Sequence, residues 1–401
     1  MKHYGDITMI HGDQVPLVDI ITGGSPCQDL SVAGKRAGLA GERSGLFMEQ
    51  IRIIKEMRNE SKRRLSIQGT DYDIRCVKPR YMVWENVAGA FSSGNPKGAD
   101  FRAVLEEIVK VVVKEIPDIP IPEKGWPYSG CIEGMGDDGT PFSIAWRLHD
   151  AQYWGVPQRR KRIALVADFG GQSAPQILFE CKSLSGNTEQ SEQEKKTTSG
   201  NVTKNFRSAV GFNGWQSTTA IMPVLDGKTP PMEAVMPPYV CYCLDRASFN
   251  QGKNAKFDFS IEKDKSQPII ARGPGALFDN RNISSLVRRF TPMECERLQG
   301  FPDHWTDIGE WVDSKGKKHK DADSPRYKAL GNSIALPFWE WMADRMCKQL
   351  REEGFEELSM ASLFDGIGGF PLVYSRCGCK PVWASEIEDF PIAVTKIRFP
   401  E

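Results

Sequence analysis

The sequence predicts an α/β protein, in which a mostly parallel sheet lies between helices and a less regular domain is inserted into the chain. Three observations predict it. Short apolar runs rich in β-branched residues alternate with amphipathic helical stretches. That alternation fails between about residues 170 and 286. A glycine-rich strand-to-helix turn, of the kind that opens a nucleotide-binding sheet, stands near the end of the chain instead of its beginning.

In chain order, the predicted strands are Val18 to Thr22, Tyr81 to Trp84, Ile163 to Ala167, Met360 to Phe364 and Pro381 to Ala384. Ser44 is placed to cap a helix whose stripe carries Phe47, Ile51, Ile54 and Met57, and Asp100 to cap one carrying Phe101, Val104, Leu105, Ile108 and Val112. The irregular stretch holds a polar low-complexity run from Ser185 to Gly200, then Pro230-Pro231, Pro237-Pro238 and Gly273-Pro274-Gly275, which break any long element. The core pattern returns at about Ser324. The expected division is therefore a first core part over 1–168, a small inserted domain over 169–324, and a second core part over 325–401. No internal repeat is present.

With 401 residues, 40% hydrophobic and 26% charged, the composition excludes collagen-like, disordered and membrane classes. No run approaches 18 apolar residues, and the N-terminus lacks the build of a signal peptide, so a cytoplasmic protein is expected. The ten cysteines are scattered, as suits free thiols in a reducing compartment. Cys241-Tyr242-Cys243 has neither a second pair nor a histidine at finger spacing, and no metal is expected. The 52 basic residues balance 52 acidic ones. Such neutrality argues against coating nucleic acid by bulk charge but leaves room for a local basic cleft.

The run Phe364-Asp365-Gly366-Ile367-Gly368-Gly369 follows a predicted strand and precedes a helical pattern. Its glycines let the backbone turn sharply and let a ligand approach main-chain N–H groups at a helix start. Glu386, at the end of the next strand, is spaced to accept hydrogen bonds from ribose hydroxyls. A nucleoside site and a simple glycine turn both fit these residues. Too little chain follows to complete a sheet, yet the missing strand–helix units stand at the other end. Joining the two ends continues the sheet, so the sequence points to a circular permutation with neighbouring termini.

Cys27 sits in Gly23-Gly24-Ser25-Pro26-Cys27-Gln28, at the carboxyl end of a predicted strand where open α/β sheets place their ligands. A buried apolar cysteine is the bland alternative; the constrained turn favours an exposed nucleophile. Glu85 opens Glu85-Asn86-Val87 at the end of another strand. It fits a general acid whose protonated form is favoured by burial, or a cap for the next segment. In Gln158-Arg159-Arg160-Lys161-Arg162, alternation puts Arg160 and Arg162 on one face, where two guanidinium groups suit a phosphate or a base carbonyl; a solvated charge run is the alternative.

Taken together with Arg297-Leu298-Gln299-Gly300-Phe301-Pro302 and Gly331-Asn332-Ser333-Ile334, these motifs strongly resemble the DNA cytosine-5 methyltransferase family. They cover nearly the whole chain outside the irregular insert. Because the family normally begins with the glycine loop, the chain resembles a circularly permuted member. The resemblance implies a Rossmann-like S-adenosylmethionine-dependent methyltransferase sheet with an inserted target-recognition domain.

It further implies that Cys27 attacks C6 of a flipped cytosine, that Glu85 acts at N3, that Arg162 touches O2, and that Arg160 supports this arrangement or a phosphate. For S-adenosylmethionine, leaving as S-adenosylhomocysteine, it implies Phe364 at the adenine side, Gly366, Ile367, Gly368 and Gly369 along the methionine portion, and Asp365 among the cofactor-binding residues. Glu386 would hold the ribose and Ile387 would pack on adenine. Asp6 and Ile7 would read the adenine edge, and Pro26, Leu46, Asn332 and Ile334 would complete the pocket. Gln28, Arg159, Arg272, Arg288 and Arg289 would contact DNA. The lysine cluster Lys315, Lys317, Lys318 and Lys320 fits either phosphate contacts or a solvated loop.

The expected partner is therefore double-stranded DNA, with no membrane. The expected role is a prokaryotic or phage sequence-specific modification methylase of restriction-modification type, with a cognate endonuclease linked by function only and a monomeric state. Three rivals remain: an RNA cytosine methyltransferase of the same fold, an inactive DNA-binding relative, and a nicotinamide-dependent oxidoreductase. The last rests on the glycine loop alone, which lacks the third fingerprint glycine.

Overall fold

The structure, a computed structural model, describes residues 1–25, 45–68, 72–116, 118–179 and 286–400, with short pieces at 242–244, 261–263, 266, 269 and 276–279. The strands are β1 (Lys2–His3), β2 (Ile20–Gly23), β3 (Tyr81–Val87), β4 (Ser129–Met135), β5 (Pro141–Asp150), β6 (Lys161–Asp168), β7 (Tyr242–Leu244), β8 (Ile261–Lys263), β9 (Ala276–Asp279), β10 (Leu286–Arg289), β11 (Trp311–Val312), β12 (Lys318–His319), β13 (Ser359–Leu363) and β14 (Lys380–Ser385). The helices are α1 (Leu46–Gln68), α2 (Ala99–Val109), α3 (Ala174–Leu178), α4 (Pro292–Gln299), α5 (Asp323–Asn332), α6 (Leu336–Glu352), α7 (Gly369–Arg376) and α8 (Asp389–Arg398).

The main sheet runs β1-β14-β13-β2-β3-β6-β5-β4. Its first five strands are parallel, and β6, β5 and β4 continue it antiparallel. Alternation along each strand splits the apolar residues between two faces. Ile21, Met82, Trp84, Leu165 and Leu363 face α1 and α2, whose stripes Phe47, Ile51, Ile54, Met57 and Phe101, Val104, Leu105, Ile108 are buried against them. Ile20, Tyr81, Val83, Val166 and Met360 face the other layer, built from α3 to α8. The expected α/β architecture is thus present, with all five predicted strands in place to within two residues at their starts and three at their ends.

Three local readings change. Asp100 does not cap α2; Gly98 does, because the cap there takes a left-handed φ of +91°, and Asp100 turns inward in the first helical turn. The hairpin β4–β5 carries no strand signal in β4, whose sequence Ser-Gly-Cys-Ile-Glu-Gly-Met is weakened by two glycines. Those glycines make room: a Cβ on Gly130 would lie 2.3 Å from the Trp146 ring and one on Gly134 2.8 Å from Phe142. Finally, residues toward both ends of the expected inserted domain, 169–324, pack in the core. Ala174, Ile177 and Leu178 on one side, and Phe290, Cys295, Leu298, Phe301 and Trp305 on the other, join the cluster that holds Leu336 and Phe338. Between them, β10-β9-β7-β8 form a separate antiparallel sheet.

The sheet runs across the two ends of the chain. β1 pairs in parallel with β14, and the Met1 ammonium donates to the carbonyls of Phe399 and Pro400 at 3.1 and 3.2 Å. Among the described residues, no helix is long and apolar enough to cross a membrane.

Candidate active site

The carboxyl ends of β13, β14, β2 and β3 bring four segments together. The first is the glycine turn after β13. Phe364 (φ +56°), Gly366 (+57°) and Gly368 (+80°) all take left-handed backbone, which turns the chain within five residues from strand to helix α7. The Asp365 N–H donates to Ser385 at 3.0 Å and the Gly368 N–H to the Asp365 carbonyl at 3.1 Å, so neighbouring strand and turn hold each other. Glu386 closes the turn: one carboxylate oxygen accepts the Gly366 N–H at 2.7 Å, and the other accepts those of Ile387 and Glu388.

Space around this turn is tight. A Cβ on Gly369 would stand 2.8 Å from Ile334, and one on Gly368 2.7 Å from the Phe399 ring and 3.1 Å from Thr395. Trp305 fastens the turn from outside, donating its indole N–H to the Ile367 carbonyl at 2.8 Å. Gly368→Ala combines left-handed strain with overpacking, and should cost about 2 to 4 kcal/mol of stability. Urea unfolding measures it; a midpoint indistinguishable from wild type would contradict the packing described.

The start of the chain reaches the same place. The Ser385 hydroxyl donates to the Gly5 carbonyl at 2.7 Å, which sets Asp6 beside the end of β14. Asp6 is exposed and accepts from the Thr8 N–H and hydroxyl. The Ile7 side chain, by contrast, is buried in the core beneath α1, leaving only its backbone for a ligand. Ile387 stands 70% exposed on the rim, Asn332 is exposed, Leu46 and Phe364 are half-buried, and Ile334 is buried against the turn.

The second cluster lies on β3 and β6. The Glu85 carboxylate pairs with the Arg162 guanidinium at 2.7 Å, both largely shielded from water, and borders Gly24 closely enough that a Cβ there would lie 3.1 Å from it. Ser25, two residues before Cys27, is anchored by the Trp84 indole N–H at 3.0 Å and by the Asn86 amide. Gln50 of α1 donates to the Val83 carbonyl and packs under Gly23. Trp84, Asn86 and Gln50 escape sequence reading because nothing in their local pattern separates them from ordinary core residues. His149, opposite Arg162 on β5, is also new: its ring stacks on Phe338 at 3.7 Å, and burial, then the nearby arginines, hold its pKa well below the usual value.

Arg160 departs from expectation. It precedes β6, is buried, and spends its guanidinium on the carbonyls of Ile269 at 3.0 Å, Gly331 at 3.1 Å and Ser333. It therefore does not share an open crevice face with Arg162 and has no fork left for a phosphate; it joins the Gln158–Arg162 segment to Gly331–Ile334. Arg159 and Arg289 are exposed. Pro26, Cys27, Gln28 and Arg272 lie outside the described residues, as does the side chain of Arg288. Elsewhere, His11, Asp13 and Glu56 bring potential ligand atoms within 4.8 Å of one another, but Glu56 already accepts the Gly12 N–H and pairs with Arg52.

Comparison with known proteins adds a family. Residues 1–111 and 127–348 match the C-5 cytosine-specific DNA methylase family model. The chain is 28% identical to a DNA N-6-adenine-methyltransferase of Escherichia phage P1, over 89% of this chain and 57% of that protein. It is 24% identical to the Type II methyltransferase M1.ScrFI of Lactococcus lactis subsp. cremoris (87% of this chain, 67% of the relative) and 22% identical to M.FnuDI of Fusobacterium nucleatum (90% and 86%). It thus spans little more than half of the phage relative. Among solved structures, the Dnmt2 methyltransferase of S. pombe aligns over 87% of this chain and 84% of that one at 16% identity and a TM-score of 0.41.

Proposed function

The chain belongs to the C-5 cytosine-specific DNA methylase family, and on that footing we propose that it methylates C5 of cytosine in double-stranded DNA with S-adenosylmethionine as donor. One observation carries the reading: the Glu85–Arg162 pair stands against Gly24, three residues before Cys27 in the sequence, at the strand ends that also form the glycine turn closed by Glu386.

C5 of cytosine is a weak nucleophile and needs covalent activation. The Cys27 thiolate forms a bond to C6 while Glu85 shares a proton at N3, which moves electron density to C5. S-adenosylmethionine supplies the methyl group as an electrophile bonded to a sulfonium. Loss of the C5 proton then lets the Cys27–C6 bond break and restores the aromatic ring. Arg162 orients Glu85 and reaches O2 of the base. The target atom is inaccessible in a stacked duplex, so the base is swung out, at a cost of a few kcal/mol.

The residues around the turn fit the donor. Gly366 to Gly369 line its methionine portion; a Cβ on Gly368 would collide with Phe399 and one on Gly369 with Ile334, while Gly366 has open space beside it. Glu386 offers its carboxylate to the ribose, with Phe364, Ile387, Asp6, the Ile7 backbone, Pro26, Leu46, Asn332 and Ile334 around the adenine and the pocket wall. We read the small sheet β7–β10 and the chain around it as the target reader, with Gln28, Arg159, Arg272, Arg288 and Arg289 toward DNA. The pairing of β1 with β14 supports a circularly permuted origin. We place the protein in the cytoplasm, as a monomeric modification methylase without a metal.

A second reading comes from the name of the phage P1 relative, which is an adenine N6 activity. An exocyclic amine attacks a methyl donor directly and needs no thiol, so Cys27 and Glu85 favour carbon methylation. The test is to incubate the protein with DNA and methyl-labelled S-adenosylmethionine, then separate the nucleosides. Label in 5-methylcytosine is expected. Label in N6-methyladenine, or transfer to tRNA and not to DNA, would overturn the reading.

A further inference from the structure

The lysine-rich segment between α4 and α5 folds as a hairpin with two unlike faces. In the β11–β12 pair, Trp311 stands opposite His319 and Val312 opposite Lys318. Opposite residues share a face and neighbours alternate, so the two aromatic rings lie on one side and Val312 with Lys318 on the other. The aromatic side is closed: Trp311 stacks on His319 at 4.2 Å and meets Phe390 of α8 edge-on at 5.4 Å. Asp313 holds the turn. One of its carboxylate oxygens accepts the N–H groups of Lys315 and Lys317 at 3.0 and 2.9 Å, and the other lies 2.8 Å from Nε2 of His319. His319 first, and those N–H groups with it, hold the Asp313 carboxyl below the usual carboxylate range. A two-stranded hairpin this short is not stable alone. Its seat is α8, where the Ser314 N–H donates to Asp389 at 2.9 Å.

That seat is on the rim of the candidate site. Asp389 comes three residues after Glu386, and Glu388 between them pairs with Lys328 of α5 at 2.5 Å. The hairpin is thus fixed at the carboxyl end of β14, the end of the sheet that carries the glycine turn, Glu85 and Arg162. Lys315, Lys317, Lys318 and Lys320 are all exposed, and among the described residues none of them pairs with an acid. Of the acids nearby, Asp313 is spent on His319 and the turn, while Glu310, Asp321 and Asp323 flank the hairpin, Asp323 at 3.9 Å from Arg326. Four ammonium groups within six residues repel one another, and a fixed turn keeps them together. An anion with several charges relieves that repulsion.

We propose that this hairpin is a phosphate clamp for duplex DNA, in which Lys315, Lys317, Lys318 and Lys320 bind successive backbone phosphates beyond the flipped base. The inference rests on the double-stranded DNA reading made above and adds a contact outside the small sheet β7–β10. In a chain whose 52 basic residues balance 52 acidic ones, affinity for a polyanion has to come from such local clusters. A duplex carries one charge per about 1.7 Å of its axis, so four flexible stems can each reach a phosphate without reading a base. The clamp therefore supplies affinity and register, and leaves the choice of sequence to other residues.

Fluorescence anisotropy of a mixed-sequence DNA duplex, titrated with the full chain at several sodium chloride concentrations, reads the clamp directly. Each of Lys315→Gln, Lys317→Gln, Lys318→Gln and Lys320→Gln should flatten the slope of log affinity against log salt by about 0.9, and the four together by about 3 to 4. The fourfold variant should bind DNA at least about tenfold more weakly at 0.1 M salt. In methyl transfer it should show a raised KM for DNA with kcat unchanged, and calorimetry should find S-adenosylmethionine bound as by the wild type. Lys380→Gln, at the opposite end of β14, is the control and should leave the slope as it is. An unchanged slope in the fourfold variant, or equal flattening by Lys380→Gln, would overturn the inference. Weakened donor binding with DNA binding intact would also overturn it, by placing the hairpin at the donor instead. The single variants decide the matter if the fourfold one does not fold. Wild-type protein that binds no duplex DNA would refute the proposed function as well.

Discussion

Cys27→Ser should lower the rate of methyl transfer to DNA by about 10⁴-fold or more, because it removes the proposed nucleophile and leaves C5 unactivated. The same variant should bind S-adenosylmethionine like the wild type, since the glycine turn and Glu386 are built from other strands. Labelled methyl transfer measures the first effect and calorimetry the second. A DNA duplex containing 5-fluorocytosine adds a direct view: having no C5 proton to lose, it should trap wild-type protein as a covalent adduct stable to denaturing gels, and should not trap the variant. A residual rate within tenfold of wild type, or an adduct formed without Cys27, would sink the assignment. Glu85→Gln, which keeps the shape but not the charge facing Arg162, should also be severely impaired while remaining folded.

Arg160→Met should cost about 3 to 5 kcal/mol of stability, the second large effect. The guanidinium is buried and donates to three carbonyls from two distant segments, and its loss strands those acceptors away from water. Arg162→Met should behave in the opposite way. Arg162 lies at the rim and makes one ion pair, so its removal should cost roughly 1 kcal/mol of stability and most of the methyl transfer. Urea midpoints and transfer rates on the two variants separate these roles. Equal destabilisation of both would show that Arg160 is not the structural clamp described.

These two arginines show why part of the site was legible and part was not. They are two residues apart, carry the same charge, and alternate-residue logic puts them together. The chain is not yet in β6 at Arg160, so the alternation does not apply, and what decides its role is the approach of Gly331 and Ser333 from the far end of the sequence. Glu85 stood out as a candidate because a carboxylate at the end of an apolar strand is a local anomaly, and it is found paired with Arg162. Trp84 and Asn86 were not, since a tryptophan and an asparagine in a strand announce nothing until Ser25 is seen against them. The hairpin β4–β5 was missed for a related reason: its glycines lower strand propensity, and their purpose is visible only beside Trp146 and Phe142.

By itself, the sequence determined the five core strands, the helical stripes, the meeting of the two chain ends in one sheet and the glycine turn, and it nominated the thiol, carboxylate and guanidinium groups of the proposed site. All of these depend on periodicity or on residue type over a few neighbouring positions. Only the tertiary structure decided which arginine faces the site, that Ile7 turns into the core, and that Asp365 is held away from water beside Glu386. Burial and protonation are set by atoms brought together from opposite ends of the chain, and the energy of a charge depends on those surroundings more than on the residue that bears it.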